Sequence, residues 1–220
     1  MKNYITLIGL FLVLYSCNEN IPSTTKSASF QTIPFDSIKV VLEEVLTKDQ
    51  KIRDLLYSVE FNSPEAQQYI HKMQLIDKEN QKTVLEVLEK YGWLKKSDIG
   101  EKASDAIFYT IQHSNEEIME RYLLQLKELA LIKEANPVHA CMMEDRLLMR
   151  KGKKQIFGTQ ITSSLRKTKE KVVWPVENPH KVDSIRKSIG FKTTMIEYAK
   201  KMEAIYNPLE KLPNDEIYKE

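Results

Sequence analysis

Two long stretches of this chain repeat apolar side chains at helical spacing, and they restrict the fold more than any other feature does. Residues 36–59 place Ile38, Val41, Leu42, Val45, Ile52, Leu55, Leu56 and Val59 on one stripe, the pattern of an amphipathic helix of about six turns. A second helix is predicted to open at Ser63-Pro64, with the serine as N-cap and the proline in the first turn, and to stop at Tyr91-Gly92. Two such helices must bury their stripes against further helices. The sequence supplies them: a third over residues 102–113, a fourth after the Ser114-Asn115-Glu116-Glu117 capping box, and a fifth from Asn136-Pro137 to Lys151-Gly152. The period then shortens. Residues 154–162, "KQIFGTQIT", and 171–176, "KVVWPV", alternate and are rich in β-branched and aromatic residues, which predicts a hairpin with a basic loop at 163–170. Asn178-Pro179 opens a short helix ending at Gly190, and Thr194 to Glu197 forms a capping box for a last helix to about residue 206. The expected fold is mainly α: a single helical domain of about six to seven helices over residues 33–206, with a small β-hairpin near residues 154–176.

The ends of the chain are different in kind. The opening "MKNYITLIGLFLVLYSC" has one lysine and an apolar run from Tyr4 to Tyr15, the length of a signal-peptide core and short of a membrane span. Leu14-Tyr15-Ser16-Cys17 resembles the lipobox of bacterial lipoproteins. That resemblance implies a signal peptide over residues 1–16, thioether lipidation of Cys17 and attachment to a membrane of the cell envelope, facing the periplasm or the exterior. Residues 18–32 are small and polar and read as a tether. Residues 207–220 contain two prolines and read as a loose tail. With Cys17 lipidated, Cys141 is the one remaining cysteine, so no disulfide framework is available.

Net charge is +2, or +1 once Lys2 leaves with the signal peptide. With charge so balanced, and with no array of aromatics beside the basic run Arg150 to Lys154, no nucleic-acid partner is expected. Six glycines form no phosphate loop, and His71, His113, His139 and His180 lack metal-ligand spacing. We therefore expect no metal and no cofactor.

Several polar residues interrupt apolar rows. Asp49 lies in the row Leu42, Asp49, Leu56, with Arg53 one turn on; Asp77 and Asn80 interrupt the second helix. A buried carboxylate must be paired or neutralised, so these residues are either structural ion pairs or the wall of a polar cavity. Gln112-His113 closes the third helix, where a cationic imidazole is favoured. Asp145-Arg146 lies inside the fifth, and the arginine is a planar fork suited to a carboxylate or phosphate. On the first predicted strand, Gln155 and Thr159 share one face and Gln160 the other. Gly158 allows close approach of a ligand or another backbone.

The segments "GWLKKSDIGEKASDAIFYTIQHS", "EDRLLMRKGKKQIFGTQ" and "WPVENPHKVDSIRKSIGF" together resemble a bacterial family known as domain of unknown function 6624. The likeness is carried by Gly92-Trp93, Gln112-His113, Asp145-Arg146, Gln155 to Gln160, Asp183 with Arg186, and Asp49-Gln50 with Arg53. Phe157 and Leu94 stand where the pattern has tyrosine and proline. The resemblance implies no activity. Two readings follow from the residues. In one, a lipid-anchored extracytoplasmic domain binds a small polar or anionic ligand, a glycan or a peptide through Gln112, Arg146, Gln155, Thr159, Gln160, Asp49 and Arg53. In the other, a hydrolase or transferase uses His113 as general acid or base, with Asp145 orienting it or a substrate and Arg146 holding an anionic group.

Overall fold

The computed structural model describes residues 33–213 apart from residues 61, 167 and 169. The signal segment, Cys17 and the tether lie outside the described residues, as does the tail from residue 214. Eight helices and two short strands follow in order: α1 Phe35–Tyr57, α2 Pro64–Tyr91, α3 Lys96–Ile99, α4 Glu101–Gln112, α5 Glu116–Leu131, α6 Pro137–Arg150, β1 Ile161–Thr162, β2 Val172–Val173, α7 Val182–Ile189 and α8 Met195–Lys201. The fold is mainly helical with a two-stranded antiparallel sheet, as the periodicity requires. Among the described residues no helix is long and apolar enough to cross a membrane.

α4 is the centre of the helical layer. It packs on α1, α2, α5 and α6, and α1 and α2 lie against each other. Its buried residues include Ala103 and Ala106, whose small side chains let neighbouring helices approach, and Ile107, Phe108 and Ile111, which fill the space between them. Leu42 and Val45 of α1 and Val84 and Leu88 of α2 are buried against this layer's apolar face, and Ile52 of α1 is buried apart from it. Each buried Leu or Ile contributes roughly 1.5–3 kcal/mol relative to an exposed one.

Helix boundaries follow the local chemistry closely. Ser63 Oγ accepts from the Ala66 N–H, Asn136 Oδ1 from Val138 N–H, and Thr194 forms a complete capping box with Glu197. α2 ends at Gly92, whose φ of +70° suits a residue without Cβ. Two caps differ from expectation. Asn115, rather than Ser114, caps α5 by accepting from Ile118 N–H, and Ser114 Oγ donates back to the Thr110 carbonyl. Asn178 does not cap α7, which starts four residues later behind Lys181. The four-residue α3 was not expected. α8 ends at Lys201, and the chain then returns to β2 through hydrogen bonds between Val173 N and Ile205 O and between Ile205 N and Lys171 O.

The hairpin is much shorter than the alternation suggests. Ile161 pairs with Val173 and Thr162 with Val172, and no further. Upstream, residues 156–160 make a turn, because the N–H groups of Ile156, Phe157 and Thr159 go to the Asp145 side chain and that of Gln160 to the Gln155 side chain instead of a neighbouring strand. Gly158 bends the chain at φ +70°. A second apolar cluster of Val173, Val176, Val182, Met195 and Ala199 holds this turn, α7 and α8 together.

Candidate functional site

The turn at 156–160 is built around Asp145. The carboxylate, fully buried in α6, accepts from the N–H groups of Ile156 (2.7 Å), Phe157 (3.1 Å) and Thr159 (3.0 Å) and from the Thr159 hydroxyl (3.0 Å). Burial pushes its pKa up, against the opposing pull of those donors. Gln155, also fully buried, donates to the carbonyls of Gln160 and Trp174 and accepts from Gln160 N–H. From the other side Arg186, 1% exposed, donates to the Phe157 carbonyl (2.8 Å) and to Thr193, with Phe191 and Tyr198 stacked over its guanidinium. Asp145, Gln155 and Thr159 thus have their polar atoms committed to backbone and to one another. Asp145 does not meet His113, so it cannot orient that ring. The space that Gly158 leaves open takes the Met195 side chain, and no ligand atom could share it.

The residues that do converge come from three helices. Arg53 of α1 donates through Nη2 to Asp49 Oδ1 (2.9 Å) and Asp77 Oδ1 (2.9 Å), and the same nitrogen lies 2.7 Å from His113 Nδ1. A guanidinium can only donate, so Nδ1 is the acceptor and the ring proton sits on Nε2. Asp49 Oδ1 is 3.8 Å from Nδ1, beyond a hydrogen bond. Arg53 Nε and the Gln50 amide complete the shell of Asp49, which is 3% exposed. Burial alone would raise the Asp49 pKa; the Arg53 guanidinium, bonded to both carboxylate oxygens, outweighs it and holds the carboxyl at about 2. Asp49, Asp77 and His113 bring their oxygen and nitrogen atoms within 4.8 Å of one another, as metal ligands do. The charge at the centre of this trio is the Arg53 guanidinium, and a metal ion would have to displace it.

Beside this trio lies a cavity of about 240 Å³, open to solvent, whose wall continues with Asn80, Thr110 and Ser114. Asn80, 3% exposed, donates to the Val45 carbonyl. The Thr110 hydroxyl makes no hydrogen bond among the described residues.

Arg146 and Arg150 approach the same end of α4 from α6. Arg146 donates to the Gln112 carbonyl (3.2 Å) and Gln160 Oε1 (3.2 Å), and Arg150 to the Ser114 carbonyl (2.8 Å). Gln160 is fixed by the Met142 carbonyl and Thr159. Neither arginine has a carboxylate partner among the described residues. Burial, with Arg150 and Arg53 nearby, pushes Arg146 down to about 10. Gln112 is 1% exposed, and neither atom of its amide has a partner among the described residues.

Of the residues singled out in the sequence, Asp49, Arg53 and His113 meet at one point. Gln112, Arg146 and Gln160 meet beside it, and Asp145, Gln155 and Thr159 form the turn that holds Gln160. Sequence reasoning did not place Arg150, one turn beyond Arg146, or Tyr198, whose hydroxyl donates to the Thr159 carbonyl. The i, i+4 spacing of two arginines was the available signal for Arg150; nothing local marked Tyr198.

A helical layer with a polar, ion-paired cavity, together with a side-chain-anchored turn, defines the class of domain. The chain belongs to the family of unknown function DUF6624, whose model matches residues 37–210. No curated protein and no solved structure matches it significantly.

Proposed function

We propose that this domain binds a small polar ligand in the cavity between α1, α2 and α4, and that the lipidated Cys17 holds it to a membrane outside the cytoplasm. The carrying observation is the preorganised wall. One Arg53 nitrogen fixes Asp49, Asp77 and His113, while the Thr110 hydroxyl beside them has no partner among the described residues. A cavity of about 240 Å³ falls below the roughly 300–1,000 Å³ of drug-sized pockets, so the ligand is small. Its groups are hydroxyls or amides, which match the His113 Nε2–H donor, the Thr110 hydroxyl and the Asn80 amide.

The hydrolase or transferase reading needs His113, Asp145 and Arg146 to converge, and the geometry does not favour it. The Asp145 oxygens are filled by the turn, and Nδ1 of His113 is filled by Arg53.

Thermal-shift screening of the full chain in detergent against monosaccharides and neutral amino acids tests the cavity. Saturable stabilisation that Thr110→Val removes supports it; no stabilisation by any of them, or an equal shift in Thr110→Val, counts against it. For the anchor, Cys17→Ser should abolish processing or release the protein from the detergent phase. Unchanged partitioning with normal cleavage would exclude lipidation.

A further inference from the structure

We propose that Arg146, flanked by Arg53 and Arg150, seats the anionic group of the ligand, a carboxylate or a phosphate. The inference rests on the binding reading above and specifies the charge of what binds.

The first observation is an imbalance of charge. Arg53 is neutralised by Asp49 and Asp77. Arg146 is only partly exposed and donates to two uncharged oxygens, Gln112 O and Gln160 Oε1; its Nη2 makes no hydrogen bond among the described residues. Arg150 donates to one carbonyl. A guanidinium half withdrawn from water normally faces a carboxylate, and here the charges acting most strongly on Arg146 are two other arginines. Burial first, and these two arginines second, depress the Arg146 pKa.

The second observation is independent of charge. Gln112 lies one turn beyond Phe108, on the face of α4 that meets α6, where Phe108 stacks on His139 at 3.8 Å. Its amide is buried and has no partner among the described residues, a rare condition in folded proteins that marks a missing hydrogen-bonding group. The backbone carbonyl of the same residue receives Arg146. The residue that carries the orphaned amide thus presents its backbone carbonyl to the uncompensated guanidinium at the α4–α6 seam.

Position supplies the third. His113 and Ser114 line the cavity, and the carbonyls that bracket His113, those of Gln112 and Ser114, are the ones held by Arg146 and Arg150. An anion on the Arg146 fork, accepting from Nη1 and Nη2 as carboxylates and phosphates do, lies next to the cavity that holds the polar remainder of the ligand.

The test is isothermal titration of the full chain in detergent with inorganic phosphate and, separately, succinate, with sodium chloride at matched ionic strength as reference. We expect saturable binding of one of the two, and which one binds tells phosphate from carboxylate. Arg146→Met should weaken it about tenfold or more, and Arg146→Lys, which keeps charge but loses the fork, by a smaller factor. Arg121→Met, a change to an exposed arginine on α5, should leave it unchanged. If Arg146→Met does not fold, the exposed Arg150→Gln replaces it, with an expected loss of about threefold or more. Absence of saturable binding for both anions, or unchanged affinity in a folded Arg146 or Arg150 variant, overturns the proposal. Binding of neutral solutes abolished by Thr110→Val, with no response to either anion, leaves the cavity reading standing and rejects this one alone.

Discussion

Asp145 and Arg186 grip opposite sides of one turn. The carboxylate takes the N–H groups of residues 156, 157 and 159, while the guanidinium takes the carbonyl of residue 157. Neither charge touches the other, yet each is compensated through the four residues between them. This explains why an alternating apolar segment becomes a turn: two buried ions have a stronger claim on its backbone than a strand partner has.

Removing either ion should therefore destabilise the fold. Asp145→Ala strands three backbone donors and a hydroxyl in a buried site, and the expected cost is about 3–5 kcal/mol. Arg186→Met should cost a similar amount, and the double variant less than the sum, because both act on one turn. Urea unfolding of the full chain at pH 7 measures all three. A loss under about 1 kcal/mol for Asp145→Ala would contradict the anchoring role.

Gly158 has two reasons to remain glycine. Its φ is +70°, and a Cβ there would lie 2.6 Å from Met195 Cε and closer still to its sulfur. Gly158→Ala should cost about 2–4 kcal/mol from backbone strain and overpacking together. Adding Met195→Ala should recover none of the backbone part. A Gly158→Ala protein with an unchanged unfolding midpoint would show that the turn is loosely held.

The acid limb of stability should carry the signature of Asp49. Its pKa is held at about 2 in the folded state, against about 3.9 when unfolded. A depressed carboxyl contributes stability that is fully present above the unfolded value and is lost as pH falls through the folded one. The contribution is about 2 kcal/mol. The stability difference between wild type and Asp49→Asn should accordingly shrink between pH 5 and pH 2. A difference that does not vary with pH would place the benefit of Asp49 outside its charge.

His139 should give a second, separate pH dependence. Burial against Phe108 lowers its pKa to about 4; Asp105, 3.7 Å from Nδ1, favours the charged ring but does not reverse the effect of burial. The unfolded ring binds a proton near pH 6.5 and the folded ring does not, so stability falls as pH drops from about 6.5 to 4, by about 3 kcal/mol. His139→Gln should lose this slope. Its persistence in that variant would assign the effect to other groups.

The sequence by itself determined the elements and much of their punctuation. Apolar residues at helical spacing in α1, α2 and α4 can be buried only on one side of a helix, and Ser63, Asn136 and Thr194 satisfy N–H groups a few residues away, so both signals are local and legible. The rows broken by Asp49, Asp77 and Asn80 likewise announced polar side chains among apolar ones, because a helix fixes which residues share a face. Partners were another matter. Asp145 and His113 looked equally suited to a shared site, and the structure gives Asp145 to the 156–159 backbone and His113 to Arg53, 60 residues away in the chain. The strand at 154–160 failed for the same reason: alternation describes a segment's own preference, while Asp145 and Arg186 compete for its backbone from α6 and α7. Which nitrogen meets which oxygen depends on how helices distant in sequence cross, and only the tertiary packing decides that.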